Sequence, residues 1–142
     1  KKKGMNFFYV HSSIDEGIGK IISAVNIDGI TKGKNEEIGV KIAMHIAASN
    51  PLAIDKDGIE KTLVDKELEI IKAEIINSGK PAEIAEKISK GKIAKFLNDN
   101  SLLNQPWIMD PKKKVSDILK ESSLEKKLQV LKFTRYKVGE GI

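Results

Sequence analysis

The sequence predicts an α+β fold: a three-stranded antiparallel sheet packed against helices, with a protruding antiparallel helical hairpin. Three observations lead there. Runs rich in Val, Ile and aromatics stand near both ends of the chain, where they read as strands. The middle carries apolar residues at helical spacing. Gly79 and Pro81 then divide that middle into two arms. Strands far apart in sequence around central helices define the class.

The first two strands are Asn6 to His11 and Ile18 to Asn26, an antiparallel hairpin joined through Ser12 to Gly17. Asp28 to Lys34, with Gly29 and Gly33, is a loop. A helix starts at Asn35 with Ile38, Ile42, Ile46 and Ala47 on one side, and stops before Asn50-Pro51 because proline disfavours a helical residue ahead of it. The second helix, about Ile59 to Ser78, places Val64, Leu68, Ile71 and Ile75 along a coiled-coil-like seam. Gly79 suits the left-handed residue that ends it, and Pro81 the first turn of the next. That third helix carries Ile84, Ala85, Ile88, Ala94 and Leu97, with Gly91 inside it as a site of close helix approach. Arms joined by so short a turn run antiparallel, each roughly 25–30 Å long at the helical rise. After Asn100 the period fails through Ser101 to Asp110. Val115 to Glu121 reads as a short helix. Leu128 to Val138 is the third strand, with Val130, Lys132, Thr134 and Tyr136 on one face and Leu131, Phe133 and Arg135 on the other.

Composition limits the function. A chain of 142 residues suits one domain, or a core with one protruding element. Without cysteine there are no disulfides, thiolate metal sites or cysteine nucleophiles. No apolar run approaches the roughly 18 residues a membrane helix needs. Lys1 to Lys3 before Phe7 to Val10 is too short and too polar downstream for a signal peptide, and the KKKG start and Gly-Glu-Gly-Ile end read as cut ends of a longer protein. The net charge of +5 hints at nucleic acid, but all but one of the 25 basic residues are lysine. Bidentate readout of phosphates and base edges favours arginine. The lysines alternate with acids, as in Glu83…Lys87 and Glu86…Lys90, spaced to pair along solvated helix faces. Direct nucleic-acid binding is therefore not expected.

Catalytic chemistry is not expected either. Gly29-Ile30-Thr31-Lys32-Gly33-Lys34-Asn35 is one residue short of a phosphate loop and has Asn where Ser or Thr should hold magnesium, so it reads as a turn. Gly17-Ile18-Gly19-Lys20 lacks the third glycine of a dinucleotide fingerprint. The two histidines have no metal-ligand spacing. His45, within Ile42-Ala43-Met44-His45-Ile46, is read as structural, its ring stacked at a helix boundary or hydrogen-bonded in the core. His11 stands where a strand meets a loop, exposed and available to a partner. No enzyme, cofactor or metal is expected.

Three segments share one order and spacing with a known family. Lys41-Ile42-Ala43-Met44-His45-Ile46-Ala47-Ala48-Ser49-Asn50-Pro51 is similar to the family's IAMHxAAxxP helix. Ser78 to Pro111, SGKPAEIAEKISKGKIAKFLNDNSLLNQPWIMDP, resembles its GKP-EIAEK…SLL-QPF region, and Gly139-Glu140-Gly141-Ile142 resembles the GEGIE after its last core strand. The chain from Tyr9 onward thus resembles the translation elongation factor Ts family, in the C-terminal core subdomain known as the dimerisation domain.

The resemblance implies a guanine-nucleotide exchange factor that binds elongation factor Tu, GDP-bound and nucleotide-free, in a bacterial cytoplasm or an organelle. It implies one core domain over residues 1–142, with a hairpin inserted over Lys61 to Asn100. It assigns partner contact to His11, which matches the family's Tyr-x-His, and to Ile108 and Met109, which match an apolar pair after Gln-Pro-aromatic. Taken without the family, that pair reads as core. A homodimer is the alternative association. The loop after His11 is longer than the family's, and Lys20 replaces an apolar strand residue. The family's Thr-Asp-Phe-Val wedge is not among these residues. The chain is therefore expected to be a fragment that docks without ejecting nucleotide efficiently.

Overall fold

The computed structural model describes residues 4–12 and 20–137. The connection expected after Ser12 and the Gly-Glu-Gly-Ile end lie outside them. The chain divides into two compact units, Lys1–Asn50 with Pro106–Ile142, and Pro51–Gln105.

The first unit is built on a sheet of β1 (Met5–Ser12), β2 (Lys20–Asp28) and β5 (Gln129–Lys137) in the order β1-β2-β5. Both pairings are antiparallel, as expected of the predicted α+β class. Phe7 pairs with Val25 and Val25 with Phe133, so a β-branched and aromatic row crosses the sheet on one face. A register shift between Asn26 and Ile27 passes over Leu131, setting Lys132 opposite Asn26 but Val130 opposite Ile27. This bulge corrects the simple alternation expected for β5. One extra residue reverses the side-chain order, and Val130 is buried with Ile27 instead of lying on the Lys132 and Thr134 face.

Helix α1 (Glu37–Ser49) covers the inner face of the sheet. Ile38, Ile42 and Ile46 recur every four residues and are all buried, forming the stripe that an amphipathic helix must hide. Asn50 ends the helix in the left-handed region at φ 45°, its N–H donating to the Ile46 carbonyl at 3.0 Å. Asparagine tolerates that conformation better than most residues, so Asn50 and Pro51 stop the helix together. Ser23, fully buried in the central strand, donates its hydroxyl to the Ala43 carbonyl and ties sheet to helix. Arg135, the single arginine, donates Nε–H to the Ala47 carbonyl at 3.2 Å. A cation there favours the negative end of the helix dipole, and its role is structural.

An unexpected piece follows Gln105. β3 (Pro106–Trp107) and β4 (Asp110–Lys114) form a small antiparallel ribbon. Strands this short carry no detectable period, and Pro111 inside β4 hides it further. α4 (Val115–Ser122) follows directly, its first turn secured by the Asp117 carboxylate accepting from Lys114 N–H at 3.0 Å. Val115 and Leu119 are its buried face.

The second unit contains the expected pair of helices, α2 (Lys61–Asn77) and α3 (Ala82–Asp99). Gly79 adopts φ 74° in the turn, the left-handed conformation that glycine enters without a Cβ clash. Ile71 and Ile75 are the buried part of the seam, with Ser89 opposite on α3, whereas Val64 and Leu68 are only half-buried. On α3, Ile84 and Ala94 face solvent, and Ile93 and Phe96 take the inward positions beside Ile88 and Leu97. The expected close approach at Gly91 is absent: a Cβ there meets nothing within 4 Å. Nothing in the structure explains that glycine. Glu86–Lys90 pairs along α3 at 3.7 Å, and Lys92 reaches Glu74 across the hairpin at 3.6 Å, both in solvent. The ends of this unit meet where Leu52 N–H donates to Asn100 and Leu102 N–H to Ala53.

Candidate functional site

The three expected contact residues lie on two elements of the first unit. Trp107 pairs directly with Asp110, so Ile108 and Met109 are the two loop residues at the tip of the β3–β4 ribbon. Tight two-residue turns usually hold Gly, Asn or Asp, whose backbones accept positive φ. Neither tip residue has positive φ, and neither is a polar turn former. Met109 is 51% exposed and Ile108 is half-buried. Two apolar side chains at a solvent-facing tip cost hydration free energy that a partner surface would recover.

Beneath that tip lies His45, fully buried in α1. Its ring stacks on Trp107 with centroids 5.3 Å apart and planes 11° from parallel, and its Nδ1 accepts from Ile108 N–H over a long 3.4 Å. Both structural roles expected of His45, stacking and hydrogen bonding, occur together, although the stack forms inside α1 and not at its boundary. Sequence reasoning could not name the partner, because Trp107 comes from a distant part of the chain.

His11 stands near the end of β1, paired with Ile21, on an edge of the sheet. It is exposed, and it stacks on Tyr9 two residues earlier, with centroids 6.4 Å apart and planes 24° from parallel. Alternation puts Tyr9 and His11 on the same face as Phe7. Packing of the strand therefore sets the direction in which the imidazole points.

Among the described residues, nothing covers the opposite face of the sheet. Phe8 is 63%, Val10 54% and Tyr136 69% exposed, around the half-buried Ile22 and Ala24. In the glycine-bearing loop, Asn35 accepts from Thr31 N–H at 2.7 Å and donates to the Ser122 carbonyl at 2.9 Å. That residue closes a turn, and its amide is engaged by backbone. Among the described residues no group of three or more His, Asp or Glu is arranged to hold a metal ion. No described helix is long and apolar enough to cross a membrane.

The domain is of the α+β class, with an apolar tip, an edge histidine and a sheet face that no described element covers. Comparison with known proteins narrows that class. The family model described as Elongation factor TS matches residues 1–140. Elongation factor Ts of Ectopseudomonas mendocina is 47% identical over 116 residues, which cover 80% of this chain and 39% of that protein. That of Alkaliphilus oremlandii is 41% identical over 138 residues, 94% of this chain and 64% of its own. That of Zymomonas mobilis is 36% identical over 137 residues, 94% and 45% respectively. The chain belongs to the elongation factor Ts family, and it spans roughly 39–64% of the length of these relatives.

Proposed function

We propose that this chain docks on elongation factor Tu, as the core domain of a guanine-nucleotide exchange factor in protein synthesis. The observation that carries the reading is the apolar Ile108–Met109 tip, with Met109 exposed, on a β ribbon in a member of the elongation factor Ts family. Ile108 and Met109 supply apolar contact area, and His11 supplies a directional polar contact from the sheet edge. Residues 1–142 act as one core domain with the helical hairpin over 61–100 inserted in it. Exchange follows from differential binding: contacts that favour the nucleotide-free partner must weaken GDP binding by the same factor. No Thr-Asp-Phe-Val motif occurs within these residues, so this chain contributes docking free energy and little nucleotide ejection. The setting is a bacterial cytoplasm or an organelle matrix.

The test is titration of elongation factor Tu, GDP-bound and nucleotide-free, with the chain and with an Ile108→Ala/Met109→Ala variant. Binding that the double substitution weakens roughly tenfold or more is expected, since truncating a buried anchor pair typically costs over 1 kcal/mol. Unchanged affinity would remove the tip from the interface. GDP release driven as fast as by a full-length factor would overturn the docking-only role.

The open sheet face favours a second reading, in which two copies of the chain associate. Phe8, Val10 and Tyr136 are large exposed side chains that no described element of this unit covers. Light scattering that finds only monomer at high concentration would count against it; a dimer dispersed by Val10→Lys would support it.

A further inference from the structure

We propose that His45 is a positioning residue for the docking tip: it holds the Ile108 amide and the Trp107 ring so that Ile108 and Met109 are presented in one fixed geometry. This rests on the reading that the tip meets elongation factor Tu. The argument begins with the ribbon. In a two-residue hairpin loop the flanking pair closes the ladder, here Trp107 with Asp110. The N–H of the first loop residue then has no ladder acceptor. At Ile108 that group points inward and meets His45 Nδ1 at 3.4 Å. A half-buried amide left without an acceptor would favour a different loop conformation.

The ring does a second job. Trp107 is 4% exposed and is the residue from which the loop departs. Its near-parallel stack on His45, planes 11° apart, fixes the rotation of the indole and with it the start of the turn. His45 itself sits mid-helix in α1, between Ile42 and Ile46, both fully buried against the sheet. The tip is thus referenced to the buried core of the unit. A neutral imidazole accepting at Nδ1 carries its proton on Nε2, so one ring offers both a flat apolar face and an acceptor in the ring plane. Phenylalanine would keep the face and lose the acceptor; glutamine would keep an acceptor and lose the face.

The experiment uses the whole chain. In the unaltered protein, the Ile108 amide is expected to exchange with solvent deuterium at least tenfold slower than the Met109 amide. Exchange of Ile108 at the free-peptide rate would overturn the proposal without any substitution. His45→Phe is expected to speed Ile108 exchange roughly tenfold while leaving amides of the central strand unchanged, and to weaken binding to elongation factor Tu by a similar factor, the order of one hydrogen bond. His45→Gln should retain more of the Ile108 protection than His45→Phe. In an Ile108→Ala/Met109→Ala background, His45→Phe should cost no further affinity. An equal loss in both backgrounds would show that His45 acts through general stability, and would overturn positioning. If the unaltered chain fails to bind elongation factor Tu, the docking reading fails, while the exchange arm still decides the role of His45 in the loop.

Discussion

The ring of Phe7 lies where a side chain at position 39 would begin: a Cβ built on Gly39 falls 2.2 Å from the Phe7 ring atoms Cγ and Cδ2. The glycine lies in the first turns of α1 and the phenylalanine on the edge strand β1, and both are buried. Helix and sheet approach this closely because residue 39 has no Cβ. Gly39→Ala is expected to destabilise the first unit by about 1–3 kcal/mol, although alanine is the better helix former. Urea unfolding would measure it. Phe7→Leu should recover part of the loss in the double variant, since residues in contact are non-additive. Full additivity would show that the ring and position 39 do not meet.

Ser23 offers a second check on the same junction. Its hydroxyl is the buried side-chain link from the central strand to the Ala43 carbonyl. Ser23→Ala should cost about 1 kcal/mol, the usual net worth of a hydrogen bond. The midpoint of urea unfolding should fall with the slope unchanged.

Gly91 predicts the opposite sign. It sits inside α3, exposed, with open space where a Cβ would go and without positive φ. Gly91→Ala should therefore stabilise α3 by up to about 1 kcal/mol, through helix propensity and a less flexible unfolded chain. A higher melting temperature and slower amide exchange along α3 are the expected readouts. Destabilisation would reveal a contact at position 91.

Lys113 and Glu121 link β4 to α4 at 2.8 Å, both about half exposed. The hydrogen bond and charge of Glu121 raise the Lys113 pKa above its ordinary 10.5. A raised folded value means that the stabilisation is complete below the ordinary lysine range and is lost as pH rises through the folded pKa. Glu121→Gln should lower the melting temperature slightly at neutral pH and low salt. That difference should shrink in high salt, where exposed pairs are screened, and vanish in strong alkali. A difference that persists in alkali would assign Glu121 another role.

Much of this architecture is legible in the sequence. The four-residue recurrence of Ile38, Ile42 and Ile46 announces α1, and Asn50-Pro51 marks where it stops. Gly79 sits at the turn between α2 and α3 for a steric reason that holds in any fold. The family resemblance names His11, Ile108 and Met109 from their motifs, and the exposure of His11 follows from its place at a strand end. The β3–β4 ribbon was not readable, because two residues cannot show a period. Nor was the bulge at Leu131, which depends on how β5 meets β2. Ile84 and Ala94 fit a helical stripe on paper, yet the hairpin turns that side of α3 to solvent.

By itself, then, the sequence determined the helices, the three longer strands and the family, because these depend on periodicity, backbone sterics and motif order within a few residues. Only the tertiary structure decided that Phe7 needs a glycine at position 39, that Val130 turns inward, and that His45 lies under Ile108 against Trp107. Those relationships join residues far apart in the chain, as where Ile27 of β2 pairs with Val130 of β5. Their energies depend on distances set by packing, and no local pattern in the chain encodes them.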